Sequence, residues 1–176
     1  MDHPVVLVLA SGRGERFVAS GGTGSKLQAL LAGKPVLQHT LDAVRSSGLP
    51  WHVEDAGHSG MGDSIAAAVA ATLDAPGWLV LPGDLPLVRP DSLRRVADAL
   101  AQGTIVVPLH AGRKGHPVAF GARFRDRLLA LTGAEGAASI VRANTALKLD
   151  LDDPGIVIDI DTLEDLAAAE RALARR

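Results

Sequence analysis

The sequence predicts a single α/β domain built on a mostly parallel sheet. Three observations predict it. Val5 to Leu9 form an unbroken aliphatic run of strand length, which suits a strand buried on both faces. Short apolar runs then alternate with helix-period segments, the pattern of βαβ units. Hydrophobic residues make up 47% and charged residues 22% of 176 residues, enough for one domain with a sizeable core.

The elements follow in order. The first strand is read at residues 4–10, and a Gly- and Ser-rich loop at 11–25. Pro35 to Ser46 reads as a helix with Val36, Leu37, Leu41 and Val44 on one face. Trp51 to Glu54 reads as a short strand and Gly57 to Gly62 as a loop. Asp63 or Ser64 would cap an alanine-rich helix over Ile65–Leu73. A buried strand, Trp78 to Leu81, ends abruptly in P-G-D-L-P. Asp91 or Ser92 would start a helix reaching Gln102, followed by a strand at Ile105–Pro108. Arg113 to Pro117 reads as a turn or loop and Val118 to Phe120 as a strand. Arg123–Leu131 and Ala137–Ala143 read as helical. Val157 to Ile160 is expected as the last core strand, and Thr162 begins a terminal helix with Glu164 and Asp165 in its first turn.

Composition excludes several classes. A net charge of −2 argues against a broad nucleic-acid or anionic-membrane surface. With no cysteine, disulfide, thiol and Cys-zinc chemistry are out of reach. Aromatic residues are 3% and Tyr is absent, so no base-stacking platform is expected. No apolar stretch approaches the roughly 18 residues that span a bilayer, and residues before the first strand do not read as a secretory leader, so none is expected. A cytoplasmic location is the resulting expectation.

Ligands of parallel α/β sheets bind beyond the carboxyl ends of the strands. Three features fall there. The first is the loop A-S-G-R-G-E-R after Leu9, where Gly12 and Gly14 let backbone N–H groups approach a ligand and Arg13, Arg16 and Lys26 add positive charge. Backbone donors with cations suit a polyphosphate. The loop fits neither the dinucleotide fingerprint, which needs glycine at Phe17, nor a P-loop ending in G-K-[ST].

The second is Asp84, a lone carboxylate between Gly83 and Leu85 at a strand end. It suits Mg²⁺, which takes one or two carboxylates and fills its remaining positions with waters and phosphate oxygens. The alternative is a turn or capping aspartate. The third is the pair Asp159 and Asp161 in I-V-I-D-I-D-T, two apart and so facing one side of an extended segment, where like charges need a cation between them. Asp161 could equally cap the last helix. Two further segments border on these. Gly60-Met61-Gly62 could approach a base or sugar or simply lead into a helix. His116 in G-R-K-G-H-P-V could contact a phosphate or cap a turn, and no second histidine stands at zinc-ligand spacing from it.

Taken together, L-A-S-G-R-G-E-R-F, K-L, L-A-G-K-P-V-L-Q-H-T-L, G-M-G-D-S-I, L-P-G-D-L-P-L-V, G-H-P-V-A-F and D-I-D-T-L-E-D-L resemble, in order along most of the chain, the molybdenum-cofactor nucleotidyltransferases, the MobA/MocA-like group. The G-M-x-x-S and G-H-P-V pieces lean toward its cytidylyltransferase branch. The resemblance implies a single nucleotidyltransferase domain over residues 1–176 with a Rossmann-like three-layer α/β/α fold. It also implies an enzyme of the nucleotidyltransferase class that uses Mg²⁺ to join a nucleoside triphosphate, CTP favoured, to a phosphorylated acceptor such as molybdopterin, releasing pyrophosphate.

By the same resemblance Ala10, Gly12, Gly14 and Arg16 form the triphosphate loop and Lys26 neutralises phosphates. Asp84 binds Mg²⁺, with Asp159 and Asp161 as further metal or substrate carboxylates. Gly60, Met61 and Ser64 lie near base and ribose, and Gly115, His116 and Pro117 face the acceptor. Alternatives are GTP as donor, phospholactate or a sugar phosphate as acceptor, or a non-catalytic nucleotide- or cofactor-binding partner of a molybdoenzyme. Three features depart from the family pattern. Ten positions separate Arg16 from Lys26, the 47–60 region is short for a strand plus helix, and G-A-E-G-A-A at 133–138 lacks the family's arginine and aspartate.

Overall fold

The structure is a computed structural model that describes residues 2–12, 14–101 and 104–176. Its strands are β1 (Val5–Leu9), β2 (Leu30–Leu31), β3 (Lys34–Pro35), β4 (Trp51–Glu54), β5 (Gly77–Pro82), β6 (Ile105–His110), β7 (Arg113–Lys114), β8 (Val118–Gly121) and β9 (Leu147–Asp150). Its α-helices are α1 (Glu15–Ala19), α2 (Val36–Ser47), α3 (Met61–Ala70), α4 (Pro90–Leu100), α5 (Arg125–Leu129), α6 (Ala138–Arg142) and α7 (Leu163–Ala174).

Seven strands form the main sheet, in the order β4-β1-β5-β8-β6-β7, with β9 paired to β6. β1 runs parallel to both β4 and β5, and β9 runs parallel to β6. β8 inserts antiparallel between β5 and β6, and β7 is antiparallel to β6. Five strands therefore point one way and β7 and β8 reverse, so the sheet is mostly parallel as expected. β2 and β3 form a separate small hairpin.

Alternation along β1 explains the layering. Val6 and Val8 enter one core with Leu79, Leu81, Leu93 and Val96, beneath α2 and α4. Val5, Leu7 and Leu9 enter the opposite core with Trp78, Val80, Ile65 and Phe120, beneath α3 and α5. With helices covering both faces, all five β1 residues are buried, which is why the strand reads as a continuous aliphatic run. A third, smaller core, with Leu31, Val36, Leu87, Ile160 and Ala169, docks α7.

The helix starts depart from expectation. Helix α3 begins at Met61 with Gly60 as N-cap, rather than at Ile65 behind Asp63 or Ser64. Ser64 instead donates its Oγ–H back to the Gly60 carbonyl at 3.3 Å. Helix α4 begins at Pro90, whose missing N–H costs nothing in a first turn. Its cap comes from a remote residue: Asp153 Oδ2 accepts from the Arg89 N–H at 3.0 Å and the Ser92 hydroxyl at 2.7 Å. The expected end of that helix at Gln102 lies outside the described residues. Arg123–Leu131 resolves into a 3-10 turn at Ala122–Phe124 and the short α5.

The expected last strand is corrected. Pro154–Val157 is a 3-10 turn and Ile158 to Asp161 is not in a ladder; the last strand is β9, Leu147–Asp150. The 154–161 segment bonds singly to two different neighbours: the His116 N–H donates to the Ile156 carbonyl at 3.0 Å, and the Ile160 N–H donates to the Asp84 carbonyl at 3.0 Å. Between Gly48 and Gly60 there is one edge strand, β4, and no helix, which matches the shortness of that region in the sequence.

Candidate active site

The carboxyl ends of β1, β4 and β5 open onto one cleft, and backbone bonds fix their spacing. The N–H of Gly83 donates to the Leu9 carbonyl at 2.9 Å, and a Cβ on Gly83 would lie 3.0 Å from that same oxygen. Glycine there lets the β5 turn close against β1. The buried Thr40 of α2 donates its hydroxyl to the Gly83 carbonyl at 2.8 Å, locking the turn that carries Asp84.

Asp84 meets the loop that follows β1. Lys26 Nζ donates to Asp84 Oδ2 at 2.8 Å and to Asp161 Oδ1 at 2.9 Å. Arg16 Nη1 donates to Asp161 Oδ2 at 3.0 Å. Gly14 turns the loop in a left-handed backbone conformation (φ 65°) that glycine adopts freely, and a Cβ there would lie 3.5 Å from the Lys26 side chain. Asp159 completes the group, since carboxylate oxygens of Asp84, Asp159 and Asp161 lie within 4.8 Å of one another. Ile160, buried between the two, anchors them, and the extended backbone turns both carboxylates to one side without a β-ladder. Asp161 is not the cap of α7. Thr162 is, in a capping box with Asp165, which leaves the Asp161 carboxylate to the cations.

The electrostatics follow from this packing. Burial would lower the Lys26 ammonium, but the Asp84 and Asp161 carboxylates outweigh it and hold it above its ordinary 10.5. Burial would raise Asp161, but hydrogen bonding and charge from Lys26, with help from Arg16, hold it below 3.8. Asp159 has no such cation. Burial and then the Asp84 charge push it above 3.8. Asp84 Oδ1 is buried and has no hydrogen-bond partner. An orphaned carboxylate oxygen beside two more carboxylates is a donor set of hard oxygens that fits a divalent cation such as Mg²⁺ or Mn²⁺.

Two adjoining cavities meet at Lys26. One, of about 270 Å³, is walled by Gly12, Lys26, Gly60, Met61, Ser64 and Asp84. The other, of about 350 Å³, lies between Gly12, Gly14, Arg16, Lys26 and Asp161. The structure thus brings Gly12, Gly14, Arg16, Lys26, Gly60, Met61, Ser64, Asp84 and Asp161 to one cleft. Arg13 lies outside the described residues. Ala10 departs from expectation: it walls neither cavity, and its N–H donates to the Glu54 carbonyl at 2.9 Å, making it a strut of the loop.

Gly115 and His116 line a separate cavity of about 420 Å³, while Pro117 is buried without lining it. The Gly115 N–H donates to the Pro108 carbonyl at 2.9 Å. His116 Nδ1 is buried with no partner, and burial lowers the imidazole from 6.5 against the pull of Asp84 and the Val80 backbone.

Sequence reasoning passed over the wall formed by His58 and Ser59, which line the nucleotide-sized cavity. Glu54 at the end of β4 accepts from His52 Nε2 at 3.2 Å and His58 Nε2 at 3.1 Å. These two bonds outweigh burial and hold the Glu54 carboxyl below 4.5. A carboxylate closing a strand beside the Gly12–Gly14 loop was the available signal. Ala134 also lines that cavity, because Gly60 and Gly62 allow the 132–134 backbone to approach α3; the Gly62 N–H donates to the Gly133 carbonyl at 2.8 Å.

A family model for the MobA-like NTP transferase domain matches residues 42–149, more than half of the chain. The chain belongs to the MobA-like NTP transferase domain family. The matched stretch holds Gly60, Asp84 and His116, while the loop with Lys26 and the 159–161 segment lie outside it. Among curated relatives, bifunctional protein GlmU of Desulfitobacterium hafniense is 32% identical over 117 residues, covering 54% of this chain. The match spans only 25% of that protein, so the matched part of this chain corresponds to about a quarter of its length.

Among solved structures, Rv0371c of Mycobacterium tuberculosis H37Rv is 25% identical, with 96% of this chain and 98% of that one covered, at a TM-score of 0.78. A complex of the same protein with manganese has also been solved. A nucleotidyl transferase from Methanothermobacter thermautotroptrophicus (Mth528) shares the fold, with 99% of each chain covered, at a TM-score of 0.81 and 21% identity. The family assignment makes this a nucleotidyltransferase domain, and the neighbours share its single-domain α/β architecture. Among the described residues, no helix is long and apolar enough to cross a membrane.

Proposed function

We propose that this protein transfers a nucleoside monophosphate from a nucleoside triphosphate to a phosphorylated small molecule with release of pyrophosphate. The observation that carries the reading is the convergence of Lys26, Asp84, Asp159 and Asp161 at the meeting point of two cavities beside the Gly12–Gly14 loop. CTP as donor and molybdopterin as acceptor are the preferred pair, on the strength of the G-M-x-x-S and G-H-P-V segments.

In the transfer, an oxygen of the acceptor phosphate forms a bond to the α-phosphorus, and the bond from that phosphorus to the β-bridging oxygen breaks. The acceptor is already ionised, so no general base is needed. Negative charge spread over the transferring group calls instead for positioned cations and donors. Lys26 and Arg16 would supply that charge from one side, and backbone N–H groups near Gly12 and Gly14 would hold the triphosphate. Asp84, with Asp159 and Asp161, would hold a divalent ion, Mg²⁺ in the preferred reading, which neutralises phosphate charge. Gly60, Met61 and Ser64 would border the nucleoside, His58 and Ser59 with them. The same chemistry fits cytoplasmic substrates and needs neither nucleic acid nor membrane.

Pyrophosphate release, measured with each of CTP, GTP, ATP and UTP, with and without molybdopterin, phospholactate or a sugar phosphate, tests the proposal. Silence with every pair, together with no thermal shift by any Mg-nucleotide, would refute it. Asp84→Ala is expected to abolish turnover with the fold intact; retained activity removes the metal role. One observation favours a second reading. The segment 133–138 carries neither arginine nor aspartate, which suits a nucleotide- or cofactor-binding partner of a molybdoenzyme. Tight nucleotide binding without pyrophosphate release would select it.

A further inference from the structure

Lys26 is the hub of the carboxylate group. Its Nζ donates to Asp84 Oδ2 at 2.8 Å and to Asp161 Oδ1 at 2.9 Å, and Arg16 Nη1 donates to the other Asp161 oxygen at 3.0 Å. Both oxygens of Asp161 and one of Asp84 are therefore engaged by cations. Asp84 Oδ1 and the Asp159 carboxylate lie outside these ion pairs. The three carboxylates and two cations leave the network at most one net negative charge. That is a poor match for a divalent ion, which gives up its water reluctantly and is held in proportion to the charge of its ligands.

Both cations also face the cavities. Lys26 lines the two of them, and Arg16 lines the one beside Gly12 and Gly14. Glu15 borders that second cavity too, but it is exposed, so solvent screens its charge. A triphosphate seated there offers Lys26 and Arg16 more negative charge than Asp161 does. The lysine ammonium carries rotatable donors on a flexible stem, so it can turn from carboxylate to phosphate while the backbone stays in place.

We infer that Lys26 is an internal counter-ion that the triphosphate draws off, so that the carboxylates take up their divalent ion as a metal–triphosphate complex and not as the bare ion. The inference rests on the nucleotidyltransferase reading and deepens it, because it names the form in which the donor substrate binds. A divalent ion shared by Asp84 and Asp161 needs the oxygens that Lys26 now holds. With the bare ion, Lys26 would surrender them with nothing to receive it, leaving an ammonium unpaired on a side chain only 13% exposed. With the triphosphate, Lys26 and Arg16 pass to phosphate oxygens and the carboxylates are released together.

Mn²⁺ is the probe. Electron paramagnetic resonance of free Mn²⁺ gives the affinity for the bare ion, and calorimetry gives the affinity for the preformed Mn²⁺ complex of α,β-methylene-CTP, whose bridge resists cleavage. The unaltered protein should bind bare Mn²⁺ at least about tenfold more weakly than the complex. Lys26→Met should tighten bare Mn²⁺ at least about tenfold and weaken the complex. Arg16→Met removes the same charge from Asp161 but leaves Lys26 bridging to Asp84, so it should tighten bare Mn²⁺ by less than about threefold. If Lys26→Met does not fold, Lys26→Gln, which keeps a donor for Asp84, carries the same directions. Equal affinity of the unaltered protein for bare ion and complex overturns the inference. So does a Lys26 variant that binds bare Mn²⁺ no more tightly, or an Arg16→Met gain that matches it, since general charge would then be the whole effect. An unaltered protein that binds no nucleotide, with or without metal, would sink the nucleotidyltransferase reading instead, and the comparison of the Lys26 variant with the unaltered protein in Mn²⁺ alone would still decide whether Lys26 is the counter-ion.

Discussion

Lys26 Nζ lies 2.8 Å from Asp84 Oδ2, joining the loop after β1 to the turn after β5 across 58 residues of chain. Both side chains are only 13% exposed. The lysine also reaches Asp161, so one ammonium holds two carboxylates from different parts of the fold. Lys26→Met should strand those carboxylates. We expect metal-free stability to fall by about 1–3 kcal/mol and turnover by roughly 10²–10³-fold. Saturating Mg²⁺ or Mn²⁺ should restore much of the stability, because a divalent ion takes the cation's place, but not the turnover. Urea melts in chelator and in metal check this; an unchanged melt in chelator refutes it. The sign with pH is fixed by the shifts. The raised Lys26 contributes fully below pH 10.5 and fades above it. The lowered Asp161 contributes fully above pH 3.8 and fades as pH falls through its native value.

Asp159 behaves oppositely. Although the residue as a whole is exposed, loss of water around its carboxyl and then the nearby Asp84 charge raise it, so its ionised form strains the metal-free site. Asp159→Asn should raise the thermal midpoint in chelator. In saturating Mg²⁺ or Mn²⁺ that gain should shrink or reverse, since one hard oxygen donor is gone. A lower midpoint in chelator would show that the residue does not carry the repulsion.

Much of this arrangement was legible in the sequence. The β1 run, the glycine loop and Asp84 stand out because burial on both faces and a strand-end carboxylate leave few other readings. What misled was burial without a ladder. Ile160 is fully buried in a segment that alternates like a strand, yet its N–H bonds singly to the Asp84 carbonyl, while Val157 closes a 3-10 turn. The true last strand, L-K-L-D, leaves Leu147, Lys148 and Asp150 exposed beside β6, so its alternation is short and weak. Helix α3 hid its start because Gly62 sits in its first turn. Glycine is needed there, since a Cβ would lie 2.7 Å from the Thr132 carbonyl, a contact 70 residues away in sequence. Only the His116 segment of the cavity beside it was legible, because the other walls come from α3, β5, β6, β8 and α6 and meet only in the folded chain.

Gly60 tests how the nucleotide-sized cavity is built. Its backbone is extended, so no conformational strain attaches to a side chain. A Cβ would nevertheless lie 2.4 Å from the Gly133 carbonyl oxygen. Gly60→Ala should push the 132–134 backbone away from α3, costing about 1–3 kcal/mol and several degrees of thermal midpoint. Mg-nucleotide affinity should weaken with it, because Ala134 walls the same cavity. Gly57→Asn is the contrasting control. Gly57 has φ 74° with open space around its Cβ position, and asparagine tolerates that conformation. Equal midpoints for the two variants would refute the packing argument.

His116 should make the protein acid-sensitive in a defined window. Burial lowers its pKa from 6.5, so the native state resists a proton that the unfolded chain accepts. The sign follows: stability is unaffected above about pH 7 and falls as pH drops through 6.5 toward the native value, by at most about 1.4 kcal/mol per pH unit for one proton. Asp84, the carboxylate that pulls the other way, limits the loss without reversing it. The contribution from Asp161 fades only below 3.8, so it does not overlap this window. Urea midpoints at pH 7.5 and 5.5 should therefore differ more for the unaltered protein than for His116→Asn, which cannot titrate. If both proteins lose the same stability between those two pH values, His116 is not the group that binds the proton on unfolding.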